Sequence, residues 1–334
     1  MNYKDRLPSR EEIEMSLRNY SNINAKIINL LSYCLDIDTI FILSQKTGNI
    51  FKLLQNYIER FINDFVNIYG YIYLNGYFNK INYGFYRGTN KREVSEYKKG
   101  AEILKFFSVT TNQDIAKSFM GSEYAFSEYA FIYIDKGEGI PSVTFNDFKN
   151  GNQENEHLIA PFTKVKNIVF LCKYKGISYY SIELERQELP EIKDIELQNL
   201  KTKVISEFSQ YVELVNEYNK ADENYDYYSK IIPLPYDTVL AKRINDNTSK
   251  YNEVKEKLKI LETDLVTLLK GLCRQREKDI DERKKDLEEQ RKAQIKKSKE
   301  EMERAKISDD KKKRELIRQN YRERKNNKKK LLWF

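Results

Sequence analysis

Three clusters of reactive side chains follow one another between residues 85 and 158. The first, Phe85-Tyr86-Arg87-Gly88-Thr89, puts an arginine at the end of a short aromatic strand. A guanidinium there can grip a phosphate or diphosphate through paired charge-assisted hydrogen bonds, and the glycine lets a ligand approach the backbone. The plainer reading is a solvated strand-end charge. The second cluster, Phe107-Ser108-Val109-Thr110-Thr111, is closely followed by Ala116 and Phe119. By itself it also fits an ordinary strand running into a helix cap. The third is Glu154-Asn155-Glu156-His157-Leu158, set between a loop from Phe145 to Gln153 and the run Ile159-Ala160-Pro161-Phe162-Thr163-Lys164-Val165. Carboxylates two apart on a strand project to one face, so Glu154 and Glu156 can meet one substrate. A solvent-facing acidic strand end is the bland alternative. His157 faces the other way and reads as structural.

The elements needed to position these groups are legible around them. Ser9 and Glu12 form a capping-box pattern that opens a helix. Apolar residues then recur at helical spacing at Ile23, Ile27, Leu30, Leu31 and Cys34, and again at Phe51, Leu54, Tyr57, Ile58, Phe61 and Phe65. After Gly84 come short aromatic and β-branched runs: Phe85 to Arg87, Leu104 to Val109, Ala130 to Ile134 and Ile168 to Cys172. Gly88-Thr89-Asn90, Gly137-Glu138-Gly139 and Asn150-Gly151-Asn152 read as the breakers between them. Asn112 to Phe119 reads as a short helix. Helices first and strands afterwards predict an α+β domain over residues 1–190.

Past Pro190 the strands stop. Leu197, Leu200, Val204, Tyr211, Val215 and Tyr218 share one helical face, and Ile232-Pro233-Leu234-Pro235 interrupts it. Val254, Leu258, Leu261, Leu265, Leu268 and Leu272 then form a heptad seam, so residues 191–272 read as a helical hairpin. Residues 273–334 read as a charged basic tail in which the seam thins to Ile280 and Leu287. From Gly271 to Phe334 there are 24 Lys and Arg against 14 Asp and Glu, which leaves 35 against 37 elsewhere, so the chain's net charge of +8 belongs to its tail.

Composition removes several mechanisms. His157 is the single histidine, which makes Ser-His-Asp and Cys-His chemistry poor fits. Cys34, Cys172 and Cys273 are odd in number and far apart, so neither a disulfide framework nor a local zinc cluster is expected. No run approaches the ~20 apolar residues of a membrane span, and the opening residues carry charge where a signal peptide would be apolar. The expected setting is a reducing one, either the cytoplasm or a host cell reached without a cleavable signal peptide.

Taken in this order, the three clusters resemble the Arg–Ser–Glu clade of mono-ADP-ribosyltransferases, which includes arginine-modifying bacterial toxins, phage enzymes and vertebrate ecto-enzymes. Arg87 precedes Ser108 by 21 residues, Ser108 precedes Glu156 by 48, and Pro161-Phe162-Thr163 stands where the clade has a Pro-x-Thr-like turn. The resemblance covers about residues 80–185. Thr110-Thr111 ends the middle motif where serine is common. The resemblance implies a split β-sandwich, NAD as co-substrate without a metal, and a toxin or effector role. It also implies roles: Glu156 on the ribose, Arg87 on the diphosphate, Ser108 orienting Glu156, and Thr110 supporting the strand. Gly88 and Phe119 would line the NAD site. Glu154 would handle the acceptor, and glutamate at that position goes with arginine acceptors in a target protein.

Two other readings remain at this point. One is an NAD glycohydrolase, with water as the acceptor. The other is a non-catalytic interaction protein that works through a coiled-coil tail. The basic tail suits an acidic protein partner or an anionic surface. Nucleic acid fits it poorly, because acids are mixed among the bases and interleaved aromatics for stacking are missing.

Overall fold

A computed structural model describes residues 8–21, 50–76, 84–118, 120, 129–144, 156–231 and 239–331. The sequence features at Ile23–Cys34, Phe145–Gln153 and Ile232–Pro235, together with Glu154, Phe119 and Trp333, lie wholly or largely outside them.

Helix α1 (Arg10–Ser21) begins as its sequence predicts. The Glu12 amide donates to Ser9 Oγ at 3.2 Å, and the Ser9 amide donates to Glu12 Oε2 at 2.7 Å, so two end donors of the helix are satisfied reciprocally. Leu17 of α1 is buried, and Ser16 Oγ donates to Asp64 of the long helix α2 (Ile50–Asn75). On α2, Ile58, Phe61, Ile62, Phe65, Tyr69 and Ile72 are buried at the three- and four-residue spacing of one face.

The strands are β1 (Phe85–Asn90), β2 (Glu102–Ile103), β3 (Phe107–Thr110), β4 (Tyr129–Glu138), β5 (Ser142–Thr144), β6 (Glu156–Ile159), β7 (Thr163–Tyr174) and β8 (Ile177–Arg186). Their order is β2-β7-β8-β4-β1-β3-β6-β5. All neighbours are antiparallel except β4 and β8. β1 pairs with β4 along its whole length but meets β3 only at Tyr86↔Thr110. The eight strands thus form one sheet whose halves are joined at β1 and β3 by a single pair, which is where the resemblance implies a split. The class is α+β.

Several local expectations are corrected. Gly88-Thr89-Asn90 does not interrupt β1 but continues it, pairing with Phe131, Ala130 and Tyr129. The glycine is there for packing. A Cβ would lie 1.9 Å from the Ala116 carbonyl oxygen of helix α4 (Gln113–Ser118), so only glycine lets that helix settle on the strand. Gly137 and Glu138 likewise stay within β4, which stops at Gly139 with φ of 72°. The run Leu104 to Val109 is divided: β2 pairs with β7 and β3 with β6, and between them Lys105 and Phe106 turn inward and are buried. Strand β8 was not singled out in the sequence, although Ile182 and Leu184 alternate into the core.

The Pro161-Phe162-Thr163 turn ties α2 to the sheet. Phe162 adopts φ of 63°, a costly value for an aromatic residue. Its amide donates to the Ile103 carbonyl at 2.7 Å, and its ring packs against Phe65 and Tyr69. Packing of that ring offsets the local strain.

Helix α3 (Lys91–Glu96) follows β1 directly. The last two helices are α5 (Asp194–Ile231) and α6 (Val239–Leu331). Lys203 pairs with Asp264 at 2.6 Å, while Leu197, earlier on α5, lies over Gly271, later on α6. The two helices therefore run antiparallel there. Val254, Leu258, Leu261, Leu265 and Leu268 are buried, but Leu272 gives way to Leu269 and Cys273. Repeated steps of four, from Leu265 through Leu269 and Cys273 to Glu277, exceed the 3.6-residue turn of a straight helix, so the buried stripe rotates around α6.

The chain divides into two compact units, Met1–Lys278 and Asp279–Phe334. In the second unit every side chain from Asp281 to Glu323 is exposed, Leu287 included. No helix among the described residues is long and apolar enough to cross a membrane.

Candidate active site

Strand alternation sets which side chains meet. On β1, Tyr86 and Gly88 face α4, whereas Phe85, Arg87 and Thr89 face the opposite side, where Phe107 and Val109 belong to the same apolar cluster as Phe85. On β3 and β6 the register pairs Thr110 with Glu156 and Ser108 with Leu158. Ser108 and Glu156 are thus diagonal neighbours on one face of the ladder.

These placements produce a connected line across three adjacent strands. Arg87 Nη1 donates to the Ser108 carbonyl at 2.7 Å. Ser108 Oγ donates to Glu156 Oε1. The guanidinium carbon of Arg87 stands 5.0 Å from the centre of the Phe107 ring. Thr110 is buried, and its Oγ1 accepts the Asn112 amide at 3.1 Å. Asn112 Oδ1 in turn accepts the amides of Asp114 and Ile115 and so caps α4. The middle motif is therefore both things at once, a strand that enters a helix cap and a strand that presents a serine to a carboxylate.

Ser108, Thr110 and Glu156 share one face of the β3–β6 ladder, Arg87 reaches Ser108 through its backbone carbonyl, and Gly88 lies on β1 with its α-carbon against α4. Glu154 and Phe119 fall outside the described residues. His157 packs its ring 4.8 Å from that of Phe85, and burial pushes its pKa down, as expected of a structural imidazole.

Sequence reasoning missed Glu93. This carboxylate of α3 is 8% exposed and is contacted by four side chains. Arg87 donates to it through Nε at 3.3 Å and Nη2 at 3.0 Å, and Lys105 Nζ lies 2.8 Å away. Thr89 and Tyr97 hydroxyls also donate to it. Burial alone would raise its pKa, but Arg87 and Lys105 overcome that and hold it well below the usual carboxylate range. The available signal was the spacing of Thr89, Glu93 and Tyr97, four residues apart across the start of a short helix.

Such a set can do defined chemistry. A fixed guanidinium beside a strand suits an anionic phosphate group. A carboxylate held by a serine hydroxyl suits a centre where positive charge develops.

Neither a protein-family model nor a curated protein sequence matches this chain. Among solved structures it is similar to ADP-ribosyltransferase toxins. Exoenzyme S from Pseudomonas aeruginosa, solved with human 14-3-3 protein beta and carba-NAD, is 15% identical, with 57% of this chain and 82% of that chain covered and a TM-score of 0.32. Plx2a, an ADP-ribosyltransferase toxin from Paenibacillus larvae, is 10% identical, covering 52% and 96% with a TM-score of 0.28. The ADP-ribosylating toxin BECa of a C. perfringens binary enterotoxin, solved with NADH, is 13% identical, covering 74% and 60% with a TM-score of 0.32.

Proposed function

We propose that this chain is an NAD-dependent mono-ADP-ribosyltransferase that modifies an arginine of a target protein. The observation that carries the reading is the line Arg87–Ser108–Glu156, joined by two hydrogen bonds across β1, β3 and β6. NAD fits this donor set as co-substrate: it brings a diphosphate for the guanidinium and an activated ribose for the carboxylate.

On this reading Arg87 grips the diphosphate, and the resemblance adds Gly88 and Phe119 to the NAD site. The nicotinamide–ribose bond breaks with its electron pair leaving on nicotinamide, and positive charge spreads over the ribose. Glu156 stabilises that charge more in the transition state than in the ground state, which is what accelerates the step. Ser108 fixes the carboxylate so that it need not reorganise, and Thr110 anchors the strand that carries Ser108. The acceptor guanidinium nitrogen bonds to the ribose carbon and loses a proton, which Glu154 accepts. Arginine as the acceptor is what the resemblance implies for glutamate, and not glutamine, at position 154.

Incubation of the purified protein with labelled NAD and a cell lysate is expected to leave ADP-ribose on arginine side chains, read by mass spectrometry. ADP-ribose found only free in solution would make water the acceptor and the protein a glycohydrolase.

The anchor is testable separately. Arg87→Lys keeps the charge but removes the planar fork that meets Glu93, the Ser108 carbonyl and a diphosphate together. NAD affinity measured by calorimetry is expected to fall about tenfold or more, as for loss of a charge-assisted pair. Unchanged affinity would assign Arg87 to the fold alone.

A further inference from the structure

Glu93 is already satisfied by Arg87, Thr89 and Tyr97. Even so, Lys105 is also buried against it, 5% exposed and 2.8 Å away, with its ammonium 5.7 Å from the centre of the Tyr97 ring. Lysine is rarely placed so deep, because its charge loses hydration there. A second cation is not needed to pair one carboxylate. It does change the charge of the group. Arg87 and Glu93 alone form a neutral pair whose pull on a further anion is largely cancelled. With Lys105 the three side chains together carry one positive charge.

We propose that Glu93 and Lys105 are positioning residues for Arg87: Glu93 aims the guanidinium, and Lys105 offsets the charge of Glu93 so that Arg87 still attracts a diphosphate. The inference rests on the reading of Arg87 as the diphosphate anchor. It assigns Lys105 a long-range electrostatic role without contact to the substrate.

The test measures the dissociation constant of a non-hydrolysable NAD analogue by calorimetry, kcat and KM for NAD cleavage, and thermal melting, all on the full chain. In Lys105→Met the dissociation constant and KM are expected to rise about tenfold, the scale of one charge acting through a partly screened interior. The value of kcat stays within about twofold, because a diphosphate is held alike in ground and transition states. The double variant Lys105→Met/Glu93→Gln removes one charge of each sign and keeps an amide oxygen to accept from Arg87 and aim it. It is expected to regain affinity to within about threefold of wild type, whatever its melting temperature. A structural role for the pair predicts the reverse, with the double variant no better than the single one.

Should Lys105→Met fail to fold, the comparison of Glu93→Gln with the double variant isolates the same charge. The double variant must then bind about tenfold more weakly than Glu93→Gln, and equal binding overturns the proposal. A wild-type chain that binds no NAD overturns the ribosyltransferase reading and the proposal with it. A wild type that binds, beside a Lys105→Met variant that binds as tightly, overturns the proposal alone.

Discussion

Glu156→Gln is expected to abolish both NAD cleavage and protein modification, while Glu154→Gln keeps much of the cleavage and loses transfer to arginine. The reason lies in the step each carboxylate serves on the ribosyltransferase reading. Glu156 opens β6 and is held by Ser108 Oγ, so its charge is fixed in place before any bond breaks. Removing a preorganised charged group at a centre of developing charge costs about 3 kcal/mol, or roughly a hundredfold or more in kcat. Glutamine nearly matches the shape and can still accept from Ser108, so the loss reports charge and not collapse. Glu154, two residues earlier, has no part in breaking the glycosidic bond on this reading, and its loss falls on the acceptor step alone. Cleavage of NAD and labelling of an arginine substrate, followed in parallel for both variants, give the comparison. Equal loss of both activities in the two variants would sink the division of labour between the carboxylates.

Much of this site was legible because its contacts follow strand geometry. Period-two alternation places Ser108 and Thr110 on one face of β3, and register then puts Glu156 beside them. The capping box at Ser9 and the switch from strands to helices past Pro190 are equally local and equally readable, although the last strand, β8, ends at Arg186. Gly88 was harder, because its neighbour is the Ala116 carbonyl rather than a turn. A glycine chosen for close approach looks the same in sequence as one chosen for a bend. Glu93 was harder still. Its partners come from β1, from the residue after α3, and from the segment between β2 and β3, and only the fold brings the four together. Lys105 sat in what looked like a strand, where a lysine normally faces water.

A chain ended at Lys278 is expected to fold and to turn over NAD at the full-length rate, whereas Glu277→Ala destabilises the first unit severely. The sequence around Glu277, Arg274-Gln275-Arg276-Glu277-Lys278, reads as a solvated charged helix. In the structure Glu277 is 1% exposed. It accepts from Tyr69 Oη at 2.6 Å, from Arg186 at 3.1 Å and from Arg274 at 3.0 Å, so one carboxylate on α6 joins α2, the end of β8 and its own helix. Beside it Cys273 is fully buried, and burial drives the thiol pKa well up. Burial likewise raises the Tyr69 phenol, with Cys273 and Glu277 adding to the shift, so the phenol stays a donor to the carboxylate. Removing the acceptor from this buried network costs about 3–5 kcal/mol, a large share of the ~5–15 kcal/mol that holds a domain together. The melting temperature should fall by about 10 °C for a unit of this size. Tyr69→Phe, which removes one donor and keeps the ring against Phe162, should cost only about 1 kcal/mol. From Asp281 to Glu323 the chain after Lys278 is wholly exposed and belongs to the second compact unit, so truncation there removes one buried apolar side chain, Ile280, and otherwise only solvated ones. We propose that this basic helix selects where the enzyme acts, by pairing with an acidic protein or an anionic surface. The truncated chain should then cleave NAD normally and change only its location or its targets. A truncated chain that is folded by circular dichroism yet cannot cleave NAD would place the second unit within the active machinery. A Glu277→Ala variant that melts with wild type would show that the apolar stripe from Val254 to Cys273 holds α6 without it.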